Sequence, residues 1–255
     1  MKKLTGGALI FFATLMVDAA SADVVPPHDD LWTGKGQIGF VGTQGNTNNK
    51  AANAVIDTSL THNLWKHAFH FGDIYGSNNG IMSADRWDAS WQTNYSVTTA
   101  LFTYGALRYQ HDQFSGFHYQ ASGSVGLGYT VFNTETRKLS AQIGVGYRKS
   151  RPQVVVQDAE GTVISRVLEA ETNNAVLDAG LDFSQALSKT TMLTDKFTME
   201  SGSSNTLYTN TLALAVQMSS KLALSLAYSL QDNTTPPANM KNLDTTETVN
   251  LVYGF

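Results

Sequence analysis

The sequence predicts an all-β protein: a transmembrane, antiparallel, up-and-down β-barrel of about twelve strands. Three observations predict it. Apolar residues recur with a period of two along most of the chain, and the connections between alternating segments are short and long by turns. Beyond the N-terminus, no stretch approaches the ~18 consecutive apolar residues that a membrane helix requires. A chain of this kind crosses a bilayer as strands or not at all.

Composition narrows the possibilities further. The 255 residues have room for one large β domain or two ordinary ones, but no helical or linker segment marks a second. The absence of cysteine excludes disulfide scaffolds, thiol catalysis and cysteine metal sites together. A net charge of −4 leaves no basic excess for nucleic acid. No metal ligand set or cofactor is expected.

At the N-terminus, Lys2 and Lys3 precede the apolar run GALIFFATLMV, and AASA follows with small residues at cleavage spacing. Residues 1–22 therefore read as a secretory signal peptide, 23–31 (DVVPPHDDL) as a periplasmic leader, and 32–255 as the barrel. Strands are expected over 33–44, 49–63, 67–77, 84–97, 100–111 and 118–132. In the second half they are expected over 137–149, 169–186, 190–200, 206–218, 221–232 and 245–255.

The first two strands flank TQGNTNN, where Gly45 and Asn46 suit a hairpin turn because both tolerate positive φ. His62, His67 and His70 follow near a short turn, and Trp65, Phe69 and Phe71 beside them suggest a membrane interface. In RWDASWQTNYSV, Trp87, Ala89, Trp91, Tyr95 and Val97 oppose Arg86, Asp88, Ser90, Gln92, Asn94 and Ser96. The connection YQHDQFSG holds His111, Asp112 and Ser115, residue types used in acyl transfer, but neighbouring positions at a strand end face opposite ways.

Further on, LSAQIGVGYR alternates in the same manner, and 150–172 carries two β-like runs around DAEG. That segment reads as strands seven and eight continuing outward as a hairpin, with Lys149, Arg151 and Arg166 available to an anionic surface. KLALSLAYSLQ puts Leu222, Leu224, Leu226, Tyr228 and Leu230 on one face. Finally TETVNLVYGF puts Val249, Leu251, Tyr253 and Phe255 outward on a strand that must zip against GKGQIGFVG, since an unpaired edge in hydrocarbon is costly.

The same phase turns Asp57, Arg86, Asp88, Arg108, Lys138, Arg148, Asp178 and Asp182 into the lumen. Such charges either pair across the barrel as a plug or line water as a filter. Twelve strands allow both, since side chains fill eight-stranded barrels and sixteen-stranded porins hold channels. A conducting lumen predicts that neutralising Arg108 or Arg148 alters ion selectivity.

WTGKGQIGFVGTQGNTN at 32–48, GLGY at 126–129 and DNTTPPANMKNLDTTETVNLVYGF at 232–255 together resemble the YdiY-like family of salt-induced outer membrane proteins, which is built on a domain of unknown function. The resemblance implies an outer-membrane barrel without established catalytic residues, linked to salt response. The aromatic-x-Phe end formed by Tyr253 and Phe255 is also similar to the signal that outer-membrane proteins present to the barrel-assembly machinery. The expectation is thus a monomer in the cell outer membrane, in contact with its lipid and lipopolysaccharide. It would be no enzyme, and would act as a narrow solute or ion channel or an envelope protein linked to osmotic stress. A closed structural or adhesive barrel and a barrel lipid hydrolase stand as alternatives.

Overall fold

The computed structural model describes residues 31–43, 49–158, 163–237 and 240–255. The expected signal peptide, the leader apart from Leu31, and the Gly45–Asn46 turn lie outside them. Within the described residues the strands are β1 Leu31–Thr43, β2 Asn49–His62, β3 Trp65–Asn78, β4 Ile81–Ser96, β5 Leu101–Asp112, β6 Phe117–Asn133 and β7 Arg137–Gln157. They continue as β8 Val163–Leu168, β9 Thr172–Ala186, β10 Thr191–Gly202, β11 Thr206–Gln217, β12 Leu222–Asn233 and β13 Leu243–Gly254. All pairings are antiparallel. Twelve strands close into a ring, because β1 pairs with β13 and β7 pairs with both β6 and β9. β8 stands outside it and pairs only with Gln153–Gln157 of β7.

Burial is inverted relative to a soluble protein. Tyr104, Ala106 and Val176 are the buried apolar residues among those described, whereas the buried polar ones include Arg148, Asp178, Glu200, Gln120 and Asn250. Ile38, Leu107, Val125, Ile143, Leu226 and Val249 instead project outward, and Trp65, Tyr129, Tyr253 and Phe255 project outward near the end that carries Leu31 and Phe255. A closed ring with an apolar exterior and a polar interior suits hydrocarbon outside, since each ring strand has a partner on both sides, the β1–β13 seam pairing Lys35–Ile38 with Leu251–Gly254. The fold is therefore a transmembrane β-barrel.

The connections follow from local chemistry. At the chain-terminal end, four turns carry a Ser or Thr whose hydroxyl accepts from nearby amides: Thr98 from Leu101 (2.8 Å), Thr134 from Arg137 (3.0 Å), Ser188 from Thr190 (3.2 Å) and Ser219 from Leu222 (3.2 Å). At the opposite, loop end the expected long connection 77–83 is instead a two-residue turn. Asn79 and Gly80 both take positive φ (50° and 84°), the I′ geometry that matches strand twist, so β3 and β4 run to the turn itself. The expected strand 169–186 starts slightly later, and the hairpin expected over 150–172 forms from β7 and β8. β9 starts at Thr172, and β8 continues the hairpin above the ring.

Two contacts fasten the seam where the ring closes. Gly34 and Phe255 exchange backbone hydrogen bonds of 2.9 Å each, and the Phe255 ring lies where a Cβ on Gly34 would sit. Higher up, Asn53 Nδ2 on β2 donates to Asn250 Oδ1 on β13 at 2.9 Å, crossing Gly39 of β1, whose missing side chain leaves the passage open.

At the loop end, Pro237 and Met240 of the β12–β13 connection lie against Gly116 of the β5–β6 connection. These connections stand on opposite sides of the ring, with six strands between them either way: β5 to β13 through β1, and β6 to β12 through β9. The contact therefore crosses the mouth. Gln153, fully buried, steadies the same rim by donating to the carbonyls of Asp112 (3.1 Å) and Ser115 (3.0 Å).

Candidate functional site

The inner wall holds two charged clusters and a stretch dominated by hydroxyl and amide side chains. The larger cluster spans β5 to β10. Tyr104 Oη donates to Asp178 Oδ1 at 2.5 Å, and Arg108 Nη1 reaches Asp178 Oδ2 at 3.1 Å and Glu200 Oε1 at 2.9 Å. Ser122 Oγ donates to Glu200 Oε1 at 2.8 Å. Arg148 Nη1 donates to the Glu200 carbonyl at 3.2 Å and Nη2 to the Asn205 carbonyl at 2.6 Å, with the Glu200 carboxylate 3.7 Å away. Asp178 is 0% exposed, Arg148 2% and Glu200 5%.

Glycine makes this reach possible. Tyr104 starts on β5 and must pass β6 and β7 to meet Asp178 on β9. A Cβ on Gly126 would lie 2.6 Å from its ring, and one on Gly144 would lie 2.5 Å from its hydroxyl. The chain leaves both positions bare, so the ring lies flat on the wall. Gln92 Nε2 makes a similar chord to Gln142 Oε1 at 3.0 Å, from β4 to β7.

The second cluster lies on β1 to β4. His70 Nδ1 is 2.6 Å from Asp57 Oδ1 and its Nε2 is 3.0 Å from Asp88 Oδ2, while Lys35 Nζ is 3.4 Å from Asp57. The imidazole thus bridges two carboxylates, one at each ring nitrogen. By contrast, β11 to β13 present Thr209, Thr211, Ser225, Ser229, Thr248 and Asn250 to the interior. No group of three or more His, Asp or Glu side chains among the described residues is arranged to hold a metal ion.

Both clusters lie against the wall, and space remains beside them. A cavity of about 1070 Å³ is lined from Lys66, Asn133 and Lys138 at the chain-terminal end to Arg86, Gln231 and Asp244 near the loop end. A second, of about 590 Å³, adjoins it and shares Lys35, Asp57, Lys66, His70, Asp182 and Lys196.

All eight charged side chains nominated from the sequence lie on the inner wall, but the structure divides them. Arg108, Arg148 and Asp178 are locked in the larger cluster, and Asp57 and Asp88 clamp His70. Arg86 lines the cavity near the loop end, and Lys138 and Asp182 are exposed to it near the other. Of the two arginines expected to set selectivity, Arg108 keeps about a quarter of its side chain exposed and borders both cavities, whereas Arg148 is buried. Arg148 is held against the backbone carbonyls of Glu200 and Asn205 where β10 gives way to β11.

Several inward groups were missed: Tyr104, His70, Glu200, Lys66 and Lys196. Counting by two along the expected strand 190–200 places Lys196 and Glu200 with Thr194 and Thr198, so that signal was present. His70 was drawn toward the interface by outward Phe69 and Phe71, although its own phase is inward. Tyr104 gives no sequence sign of its reach.

Outside the lumen, Asp112 Oδ1 accepts from the amides of Phe114 (2.8 Å) and Ser115 (3.0 Å), and Ser115 Oγ donates to the Phe117 carbonyl (2.9 Å). His111 packs edge-on against His118 at 4.8 Å. The three types that suggested acyl transfer thus serve a turn and a ring contact. Lys149 lies 2.7 Å from Glu171 and holds that carboxyl below its usual range, and Arg166 stacks over Phe114. The outward set Val249, Leu251, Tyr253 and Phe255 is exposed, Phe255 at 64%.

Several solved structures are similar to this chain at low identity. The translocator domain of the autotransporter NalP from Neisseria meningitidis shares 16% identity over 91% of this chain and 89% of that one, with a TM-score of 0.45. The NanC porin shares 14% over 88% and 98%, with a TM-score of 0.43. The beta domain of the Bordetella autotransporter BrkA shares 12% over 90% and 98%, with a TM-score of 0.40. No curated protein matches the sequence. The profile of a family described as "Protein of unknown function, DUF481" matches residues 36–255, and the chain belongs to that family.

Proposed function

We propose that the chain is an outer-membrane barrel whose lumen passes small solutes or ions. The observation that carries this reading is the placement of the charges. The large cluster is packed against β5 to β10 and leaves a polar cavity of about 1070 Å³ beside it. A plug would need those side chains to meet across the middle. Export by the signal peptide, termini on the periplasmic side, and contact of the outer rim with lipopolysaccharide complete the proposal. Val249, Leu251, Tyr253 and Phe255 would then serve as the signal to the assembly machinery. The association with salt or osmotic stress rests on family resemblance alone.

The experiment is conductance of the refolded mature protein in planar bilayers bathed in potassium chloride. Discrete steps support the reading, and silence from verified folded barrel defeats it. The contact of Pro237 and Met240 with Gly116 across the mouth favours a second reading, a barrel closed at its loop end. In that case Pro237→Ala with Met240→Ala would turn a silent barrel into a conducting one.

A further inference from the structure

Water-facing charge in the lumen is unevenly matched. Of the carboxylates on the inner wall, Asp178 and Glu200 are buried behind arginine, Asp57 and Asp88 are bound to His70, and exposed Asp244 shares the loop end with Arg86. Near the chain-terminal end, Lys66, Lys138 and Lys196 line the cavities as exposed side chains. None of the three has a carboxylate within ion-pair distance among the described residues. Asp182 is the one exposed carboxylate nearby, and although it stands opposite Lys196 in register, the pair forms no salt bridge.

From this imbalance we infer that the lumen selects small anions, with Lys66, Lys138 and Lys196 as the selecting groups. The inference rests on the conducting reading above. Lys66 and Lys196 border both cavities, so a solute moving between them passes these two ammonium groups. The adjoining wall, β11 to β13, is lined mostly by hydroxyls and small side chains, and its carboxylate on the cavity, Asp244, stands at the loop end away from the lysines. A low-dielectric passage with a surplus of one sign concentrates ions of the other. Lysine suits transit, because its ammonium is a hydrated point charge on a flexible stem that releases what it attracts. Arg108 and Arg148 are held by ion pairs and hydrogen bonds in the larger cluster, whereas Lys66, Lys138 and Lys196 are not. The preferred solutes are therefore small inorganic or carboxylate anions.

The test is the zero-current potential of wild-type channels across a tenfold potassium chloride gradient. Chloride is expected to be preferred over potassium by about tenfold. The triple variant Lys66→Glu, Lys138→Glu, Lys196→Glu is expected to prefer potassium. Should it fail to fold, Lys66→Gln, Lys138→Gln, Lys196→Gln removes charge without adding any and is expected to abolish the preference. A conducting wild type with no preference, or one for potassium, overturns the inference while the channel remains. So does chloride preference that survives either variant. A folded barrel that never conducts overturns the channel reading itself.

Discussion

Arg108 is the keystone of the larger lumen cluster, and its removal should cost more than that of any exposed lumen charge. One guanidinium nitrogen serves two carboxylates, at 3.1 Å from Asp178 and 2.9 Å from Glu200. At an effective dielectric of about 20, each unit pair at such a distance attracts by roughly 5–6 kcal/mol. Partial dehydration of three ions takes back most of that. In Arg108→Ala, however, both carboxylates stay buried: Asp178 keeps only Tyr104, and Glu200 keeps Ser122 and the more distant Arg148. Breaking a buried pair from one side typically costs about 3–5 kcal/mol, and that loss is expected here. Lys138→Ala, on the same wall but exposed and unpaired, should stay within about 0.5 kcal/mol of wild type.

Urea unfolding in phosphatidylcholine vesicles measures both. Trp32, Trp65 and Trp91 are exposed on the outer surface, so their fluorescence reports the passage from lipid to water. An Arg108→Ala variant that unfolds within about 1 kcal/mol of wild type would refute the claim that this cluster holds the wall together.

Glycine contrasts give a second expectation. Gly144→Val puts a Cβ 2.3 Å from the Val125 carbonyl and 2.5 Å from the Tyr104 hydroxyl, and is expected to lose about 1–3 kcal/mol in the same urea assay. Gly36→Ala meets nothing within 4 Å and should be near neutral. At the seam, Gly39→Ala drives a methyl to 2.3 Å from Asn53 Oδ1 and 2.4 Å from Asn250 Oδ1. It should therefore part that bridge and speed amide exchange on β1 and β13 relative to β6 and β7. Glu171→Gln removes the partner of Lys149 at a water-exposed pair, and the urea midpoint is expected to stay where it is in wild type.

The barrel was legible because lipid outside and water inside impose a strict period of two. Leu222 to Leu230 and Val249 to Phe255 leave little freedom once the pattern is read. Strand ends were harder: Asn79–Gly80 looks like part of a polar loop until its turn geometry is recognised, and the β7–β8 hairpin has the same alternation as the strand it extends. The site was legible in its facing and not in its partners. Phase places Arg148 and Lys138 inside alike. Whether an inward cation is buried or free depends on small residues on other strands, such as Gly126 and Gly144 beneath Tyr104, and that information is dispersed along the chain.

The one-sided placement of the lumen network has a mechanical consequence. Tyr104, Arg108, Gln92 and their acceptors cross-brace the arc from β4 to β10, whereas β11 to β13 are linked on their inner face by contacts such as Thr211 with Ser229 (3.0 Å) and by backbone ladders. Such a cylinder has a rigid half and a compliant one. Lateral squeezing by a bilayer of unequal thickness would flatten the hydroxyl-lined half first. Its cross-section would then breathe against a fixed wall that carries Lys138 and Lys196, and the gap between these lysines and the hydroxyl-lined half would widen or narrow with the tension of the surrounding membrane.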